Sequence, residues 1–397
     1  MGRLVVHQEK IDDINSLVKI CPFGAMEIVN GKLEINASCK MCRLCVKKGP
    51  EGVFEFVEDE NKVLVNKDEW KGIAVYVDHV NGDIHPVTLE LIGKARELAD
   101  KVNQKVYCLF MGNGIKDKAG ELLHYGVDEV IVYDYKELEN FRIEPYTAVF
   151  YDFVSKIKPC SVLVGATTLG RSLAPRLAAR CRTGLTADCT ILDIKDNTDL
   201  VQIRPAFGGN IMAQIITPNS RPQMATVRYK VMSAPERSEE CTGEIKYFEI
   251  EEEKLKSNIE VKEVKEKAKE HSISDAEVIV VAGRGVKSEK DLAMIKELAD
   301  LLGGELAVTR PLIESGWIDA NRQVGLSGRT VRPKLIITCG VSGAIQFVAG
   351  MNNADYIFSI NKDEKAPIFK VAHYGIVGDI YEVVPKLIEK IKGEGEF

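Results

Sequence analysis

Hydrophobic residues along most of the chain come in short apolar blocks that alternate with longer amphipathic stretches. After Trp70 the order is KGIAVYVD, a β-rich run, then LELIGKARELADKV with helical spacing, then the apolar run KVYCLFMG. KAGELLHYG is helical, VDEVIVYD is a strand, and PYTAVFYDFVSKI is helical again. CSVLVGATTLG is a strand that ends in a loop of small residues. Strands alternating with helices predict a parallel sheet with helices on its faces. The alternation resumes at EVIVVAGRGV (277–286), a buried-type strand followed by the helical SEKDLAMIKELADLLG. Between these two α/β stretches lies the charged segment 236–271. It suits a solvated edge strand and linker, or alternatively a docking surface.

Composition adds bounds. The chain has 397 residues, enough for two or three domains, with 45% hydrophobic and 28% charged residues as in ordinary soluble proteins. A net charge of −6 gives no sign of nucleic-acid binding. There is no apolar run of transmembrane length, so no membrane insertion is expected. The N-terminus lacks the apolar core of an export signal, which predicts a cytoplasmic protein. Of the ten cysteines, four cluster near the N-terminus. In a large chain without an export signal, clustered cysteines point to metal or catalytic use. The other six, Cys108, Cys160, Cys181, Cys189, Cys241 and Cys339, are expected as small buried hydrophobes.

Three of the clustered cysteines lie in the run CKMCRLCVKKGP (39–50). Cys39, Cys42, Cys45 and Pro50 match the bacterial iron–sulfur pattern C-x2-C-x2-C-x3-C-P, but Gly49 stands where the fourth cysteine belongs. An internal repeat explains the gap. Shifting the chain by 28 residues lays PFGAMEI on PEGVFEF, Ile11 on Cys39, Ile14 on Cys42, Leu17 on Cys45, and Cys21 on Gly49. In two-cluster ferredoxins the fourth cysteine of each run ligates the other cluster. One site therefore keeps all four ligands, Cys21, Cys39, Cys42 and Cys45. The other has lost all four, and Ile11, Ile14 and Leu17 are free to fill it. The spacing predicts a single [4Fe-4S] cluster; a zinc site or an inert relic is the alternative. Over residues 1 to about 62 the segment resembles a bacterial two-cluster ferredoxin with one cluster deleted. A lone cluster with no visible substrate site points to an electron relay.

Small-residue loops follow the strands. GATTLGRSLAPRLAARCRTGLTADCT (165–190) puts a Gly/Thr loop between a strand and a helix, either an anion site or a tight turn. RPAFGGNIMAQI (204–215) is a strand–turn–strand. Gly283-Arg284-Gly285, between a strand and a helix, is the phosphate-binding arrangement of doubly wound folds, though short of a full G-x-G-x-x-G. QVGLSGRT (323–330), IITCGVSGAIQ (336–346) and IFSINKD (357–363) end further strands in similar loops. Such loops gather at the carboxyl edge of one sheet, where ligands of open α/β sheets sit. Ser342-Gly343 before an apolar helix offers backbone donors to a pyrophosphate, and Arg284 and Arg310 offer charge. Together they point to a nucleotide-type ligand. The six histidines (7, 79, 85, 124, 271 and 373) are dispersed, and the sequence shows no Cys/His or Ser/His/Asp arrangement.

From Trp70 to the end the sequence resembles the α subunit of an electron-transfer flavoprotein (Etf). The motifs that carry the resemblance are GATTLGRSLAPRLAARCRTGLTAD, GRGVKS, TRPLIESGWI, QVGLSGRTVRPKLIITCGVSGAIQFVAGM, INKDEKAPIF and YGIVGD. The resemblance implies an α/β chain in three parts: a ferredoxin-like domain (1–66), a first Rossmann-like domain that meets the partner subunit (67–270), and an FAD-binding Rossmann-like domain (271–397). It implies FAD contacts from Arg284, Thr309 and Arg310, and from the loop Val324, Gly325, Leu326 and Ser327. The loop Ser342, Gly343, Ala344, Ile345, Gln346 and Phe347 is included too, as are Asn361, Lys362 and Asp379. Ser327 and Arg310 are implied near the flavin ring, Ser342 to Ile345 near the pyrophosphate, and Asn361 and Asp379 toward the adenosine. A guanidinium by the ring favours a negatively charged reduced flavin, and the Ser327 hydroxyl is placed to hydrogen-bond it. Many members of the family carry His where this chain has Phe347. Phe donates no hydrogen bond, so the family's flavin potential does not carry over.

The fused cysteine segment is similar to the α subunits of electron-bifurcating complexes in anaerobes, such as lactate dehydrogenase–Etf and caffeyl-CoA reductase–Etf assemblies. The partners so implied are an Etf β subunit with its own FAD, a flavin-dependent dehydrogenase subunit, and ferredoxin. Bifurcation would belong to the complex. This chain is expected to act as an electron-carrier subunit rather than a stand-alone enzyme, since no general base or nucleophile can be named. A conventional, non-bifurcating Etf with an accessory cluster and a cluster-bearing nucleotide sensor are the alternatives.

Overall fold

Strands buried on both faces set the architecture of the larger part of the chain. The computed structural model describes residues 3–36, 38–39, 41–57, 65–206, 211–265 and 272–394. The chain divides into two units, Met1–Leu64 and Val65–Phe397. The expected boundary at 270/271 lies outside the described residues.

In the second unit, seven strands form one all-parallel sheet. Its order is Leu185–Cys189, Gln223–Val227, Ser161–Gly165, Ile73–Tyr76, Val106–Gly112, Glu129–Asp134 and Glu244–Tyr247. The alternation within Ile73–Val77 explains how the sheet is covered. Ile73, Val75 and Val77 pack on Leu91, Ile92 and Ala95 of the helix Pro86–Lys101. Ala74 and Tyr76 face the other way, onto Val149, Phe150 and Phe153 of Ile143–Ile157 and onto Leu173 and Leu177 of Thr168–Cys181. A fully buried parallel strand needs apolar residues on both faces, which is why these runs lack polar alternation. The charged segment supplies Glu244–Tyr247, which pairs with Glu129–Asp134 at the edge of the sheet. RPAFGGNIMAQI contributes to a separate antiparallel sheet, Ile191–Ile194, Leu200–Ala206 and Ile211–Ile215. Its glycine turn lies outside the described residues. KAGELLHYG, expected to be helical, falls largely in the 3-10 helix Lys116–Tyr125.

Five parallel strands make the second sheet, in the order Glu305–Val308, Val278–Ala282, Leu335–Cys339, Tyr356–Asn361 and Tyr374–Val377. Numbered along the chain, the order is 2-1-3-4-5, a doubly wound arrangement whose direction reverses between the first and third strands. Helices Leu292–Leu301 and Ile380–Glu394 cover one face around Val280, Ile295, Leu298 and Val384. Phe347, Met351 and Ile368 fill the other.

The N-terminal unit is smaller. Arg3–Val6 pairs antiparallel with Phe54–Val57, and Met26–Val29 with Lys32–Ile35. Short helices Ile14–Val18 and Leu44–Lys48 complete it. Asp13 caps the first helix by accepting from the Asn15 N–H at 3.0 Å. The repeat is visible in space, since Met26–Val29 shifted by 28 is Phe54–Val57. Among the described residues no helix is long and apolar enough to cross a membrane.

Candidate functional site

Two places gather the residues singled out by the sequence. In the N-terminal unit, Cys21, Cys39, Cys42 and Cys45 all line one small pocket, of about 20 Å³, together with apolar side chains such as Leu4, Met26 and Phe56. Two backbone donors already point at sulfur. The Ala25 N–H donates to Cys21 Sγ and the Met41 N–H to Cys39 Sγ, both at 3.4 Å. Cys45 is buried near the start of its helix. Burial pushes its thiol up, and the nearby Cys39 and Cys42 push the same way. Met41 and Arg43 adopt left-handed backbone, φ 50° and 60°, so the ligand run doubles back tightly. Arg43 stacks on the Phe56 ring at 3.7 Å. Among the described residues no three His, Cys, Asp or Glu side chains stand close enough together to hold a metal ion. Four soft thiol donors around one cavity, two of them already accepting N–H groups, nevertheless fit an iron–sulfur cluster better than a hard cation.

The mirror-related site is closed. Leu17 is buried among Leu33, Val53 and Phe54, with Ile11 and Ile14 packed on the same cluster. A Cβ at Gly49 would lie 2.5 Å from the Cys45 carbonyl oxygen and 2.6 Å from the Phe54 ring. A cysteine cannot stand there without moving the helix end.

The second place is the carboxyl edge of the five-stranded sheet, at its reversal point. Gly283-Arg284-Gly285 follows Val278–Ala282, and Gly340 to Gly343 follow the neighbouring Leu335–Cys339. The two loops touch. The Gly285 N–H donates to the Gly340 carbonyl at 3.0 Å, and a Cβ on Gly340 would lie 2.8 Å from the Gly285 Cα. Gly340 also has φ +67°, so only glycine fits without strain. Thr309 is buried and binds the Ala282 carbonyl through its N–H. Arg310 is exposed and pairs with Glu314 at 2.8 Å. Arg284 is exposed as well.

The remaining loops lace onto these. The Val324 N–H donates to the Val308 carbonyl and the Leu326 N–H to that of Gln346; a Cβ on Gly325 would meet the Gln346 oxygen at 3.1 Å. Ser327 accepts from the Gln323 amide at 2.7 Å. Asn361 donates to the Val341 carbonyl at 2.7 Å and so fixes the loop before Ser342 and Gly343. Ser342, Ala344, Ile345, Gln346 and Lys362 are exposed on this edge. Three further placements complete the edge. The helix after Ser342-Gly343 is a single turn, Ile345–Val348. The Phe347 ring packs in the core with Val324 and Met351, because an apolar ring gains more there than at a wet edge. Asp379 accepts from the Tyr381 N–H at 3.0 Å, at the start of the last helix.

The Gly/Thr loop at 165–168 resolves toward a tight turn. Thr167 accepts from the Gly170 N–H at 3.0 Å, and its hydroxyl donates to the Asp78 carboxylate. The helix start is thus met from within the chain.

Comparison with known proteins assigns both sheets. Residues 73–253 match the electron transfer flavoprotein domain, and residues 272–352 match the electron transfer flavoprotein FAD-binding domain. The lactate dehydrogenase (NAD(+),ferredoxin) subunit LctC of Acetobacterium woodii is 60% identical over 395 residues, covering 99% of this chain and 94% of the relative. The chain belongs to the electron-transfer flavoprotein family, as an α-type subunit. The electron transfer flavoprotein subunit alpha of Megasphaera elsdenii is 46% identical over 332 residues, covering 82% of this chain and 97% of its own length. The acryloyl-CoA reductase electron transfer subunit beta of Anaerotignum propionicum is 40% identical over 353 residues, 81% of this chain and 96% of the relative.

One Etf residue escaped the sequence reading. Arg228 donates to the Leu326 carbonyl and to Asp188, both at 2.8 Å, and so ties the first sheet to the Val324–Ser327 loop. Asp188 sits at a register shift with φ 57°. Burial alone would raise its carboxyl, yet the Arg228 hydrogen bond and the charges of Arg228, Arg171 and Arg204 hold it below the ordinary value. No local pattern announces a pair 40 residues apart. Adjacency of Leu185–Cys189 and Gln223–Val227 in the sheet creates it.

Proposed function

We propose that this Etf α subunit holds FAD on the carboxyl edge of its five-stranded sheet and one [4Fe-4S] cluster on Cys21, Cys39, Cys42 and Cys45. In this reading it shuttles electrons between the flavin of an Etf β subunit, ferredoxin and a partner dehydrogenase, within a flavin-based electron-bifurcating complex. The observation that carries the proposal is the placement of all four thiols on one cavity while the duplicated site is packed shut. The relative named for NAD(+) and ferredoxin supports the same reading over nearly the whole chain.

When bound, the two groups supply one-electron exchange and the step between one- and two-electron carriers. The chain supplies position and charge. The N–H groups of Ala25 and Met41 offset negative charge on the sulfurs of Cys21 and Cys39, and the apolar wall of Leu4, Met26 and Phe56 limits water there. At the other site the touching glycine loops let backbone approach a pyrophosphate closely. Arg284 and Arg310 supply charge, Ser327 offers a hydroxyl to the ring, and Asn361 fixes the Ser342 loop. Phe347 donates nothing, so the flavin environment here depends on Arg310, Ser327 and backbone groups.

The test is iron, acid-labile sulfide and flavin per chain, purified without oxygen together with the β subunit. About four irons per chain with flavin bound is the expected result. Flavin without iron would overturn the cluster and leave a docking or relic role for the N-terminal unit. NADH oxidation by the assembled complex that drives ferredoxin reduction only with the dehydrogenase substrate present would establish bifurcation. NADH oxidation with no ferredoxin reduction would make this a conventional Etf with an accessory cluster.

A further inference from the structure

Five of the six scattered cysteines behave as small apolar residues. Cys108, Cys160, Cys189 and Cys339 are buried and Cys181 is half-buried, with burial pushing the Cys181 thiol up to about 11. Cys241 differs, being exposed on the loop that precedes the edge strand Glu244–Tyr247. Its Sγ lies 3.3 Å from Nε2 of His124, a residue 117 positions away.

The other ring nitrogen decides what that contact is. His124 Nδ1 lies 2.8 Å from the Ser238 carbonyl oxygen. A carbonyl only accepts, so Nδ1 carries a proton, and in the neutral ring Nε2 then presents a bare lone pair to the thiol. The loop is fastened so that this geometry holds. The Ser238 N–H donates back to the His124 carbonyl at 2.8 Å. Arg237 donates twice to Glu121, at 2.9 and 3.0 Å, and the Glu240 N–H donates to Ser238 Oγ at 3.1 Å. Arg237 lies close enough to Cys241 for their charges to act on each other, and the Glu121 carboxylate interacts with His124. A nucleophile, a base beside it, and a third group that fixes the base are the elements of an activated thiol.

We infer that Cys241 and His124 form a thiol–imidazole dyad that reacts with low-molecular-weight disulfides, making position 241 a reversible S-thiolation site apart from both cofactor sites. The Cys241 sulfur attacks one sulfur of R–S–S–R as its proton passes to His124 Nε2. A Cys241–S–S–R bond forms while the original S–S bond breaks. The departing thiolate takes the proton from the imidazolium and leaves as R–SH. The small disulfide is the oxidant, so no further electron acceptor is needed.

The test uses the full chain in complex with its β subunit, without oxygen, treated with limiting 4,4′-dithiodipyridine. Labelling at each cysteine is followed by digestion and mass spectrometry. Cys241 is expected to label ahead of Cys181 and the buried thiols. His124→Asn keeps an amide N–H for the Ser238 carbonyl but removes the base, and is expected to slow Cys241 labelling about tenfold or more. A merely structural role gives the opposite sign, because a loosened loop exposes the thiol and speeds labelling. An unchanged or faster rate in His124→Asn, or no labelling of Cys241 in the complex, would overturn the proposal. Oxidised glutathione in place of the reporter is expected to add to the same residue, reversibly with dithiothreitol; no adduct on Cys241 would also overturn it.

Discussion

Glu90 shows how one side chain can make a fold sensitive to pH. It is largely buried on the helix Pro86–Lys101, and both of its oxygens accept from the Lys230 N–H, at 3.1 and 3.0 Å. Burial raises its pKa from 4.5 to about 7, against the pull of the backbone donors, Lys230 and Arg332. Because the folded value lies above the unfolded one, the contribution is fully present below about 4.5 and is lost as pH rises through about 7. Glu90→Gln keeps an acceptor for Lys230 and removes the titration. It is expected to be more stable than the parent at pH 8, by on the order of 1–2 kcal/mol after discounting for solvent, and no more stable at pH 5. Thermal melts at the two pH values test this; equal differences at both would show that Glu90 does not titrate on folding. The same residue scale separates Cys241 from its five scattered counterparts. No local pattern separates them, since partner and exposure are set by a loop that meets the 3-10 helix Lys116–Tyr125 only in the folded chain.

At the scale of elements, glycines mark where backbone must touch backbone. Gly49→Ala would press a methyl group into the Cys45 carbonyl and the Phe54 ring. It is expected to destabilise the N-terminal unit by about 1–3 kcal/mol, read as loss of iron at lower denaturant with flavin retained. Restoring cysteine at this position would not restore a second site, because Ile11, Ile14 and Leu17 already pack there. Gly340→Ala is expected to force apart the loops after Val278–Ala282 and Leu335–Cys339 and to lower flavin per chain after desalting at least about tenfold, by weakened binding of about 1.4 kcal/mol or more. Unchanged flavin would place the cofactor elsewhere. These elements were largely legible in the sequence, for a physical reason. Strands such as Ile73–Tyr76 and Val278–Ala282 are buried on both faces, so they stand out as unbroken apolar runs, and the glycine loops mark their ends. Helix type and length were not legible in the same way. A 3-10 helix over 116–125 and a one-turn helix at 345–348 depend on how their ends are tethered, which local composition does not encode. The Phe347 ring is a similar case, since its neighbours in the core come from Val324 and Met351.

For the whole molecule, Arg228 is one of the described polar contacts between the two sheets of the larger unit. It reaches from the end of Gln223–Val227 to the Leu326 carbonyl. Arg228→Gln leaves Asp188 without that cation and is expected to speed amide hydrogen exchange over 323–330 about tenfold, near the loss of one charged hydrogen bond. Unaltered exchange there would mean that the loop is held by Gln346 and Val308 alone. The sequence could announce two parallel sheets but not which side chain crosses between them. The N-terminal unit holds a last consequence. A duplicated ferredoxin with both halves intact is a through-wire, taking charge at one end and releasing it at the other. In the proposed reading one half of such a pair has been turned from conductor into insulator, its ligand positions now Ile11, Ile14, Leu17 and Gly49. With its proposed cluster in place, the unit has a single terminal, beside exposed Phe23 and Met41. Donor and acceptor must then share that terminal and take turns at it, so that raising the concentration of one should slow exchange with the other.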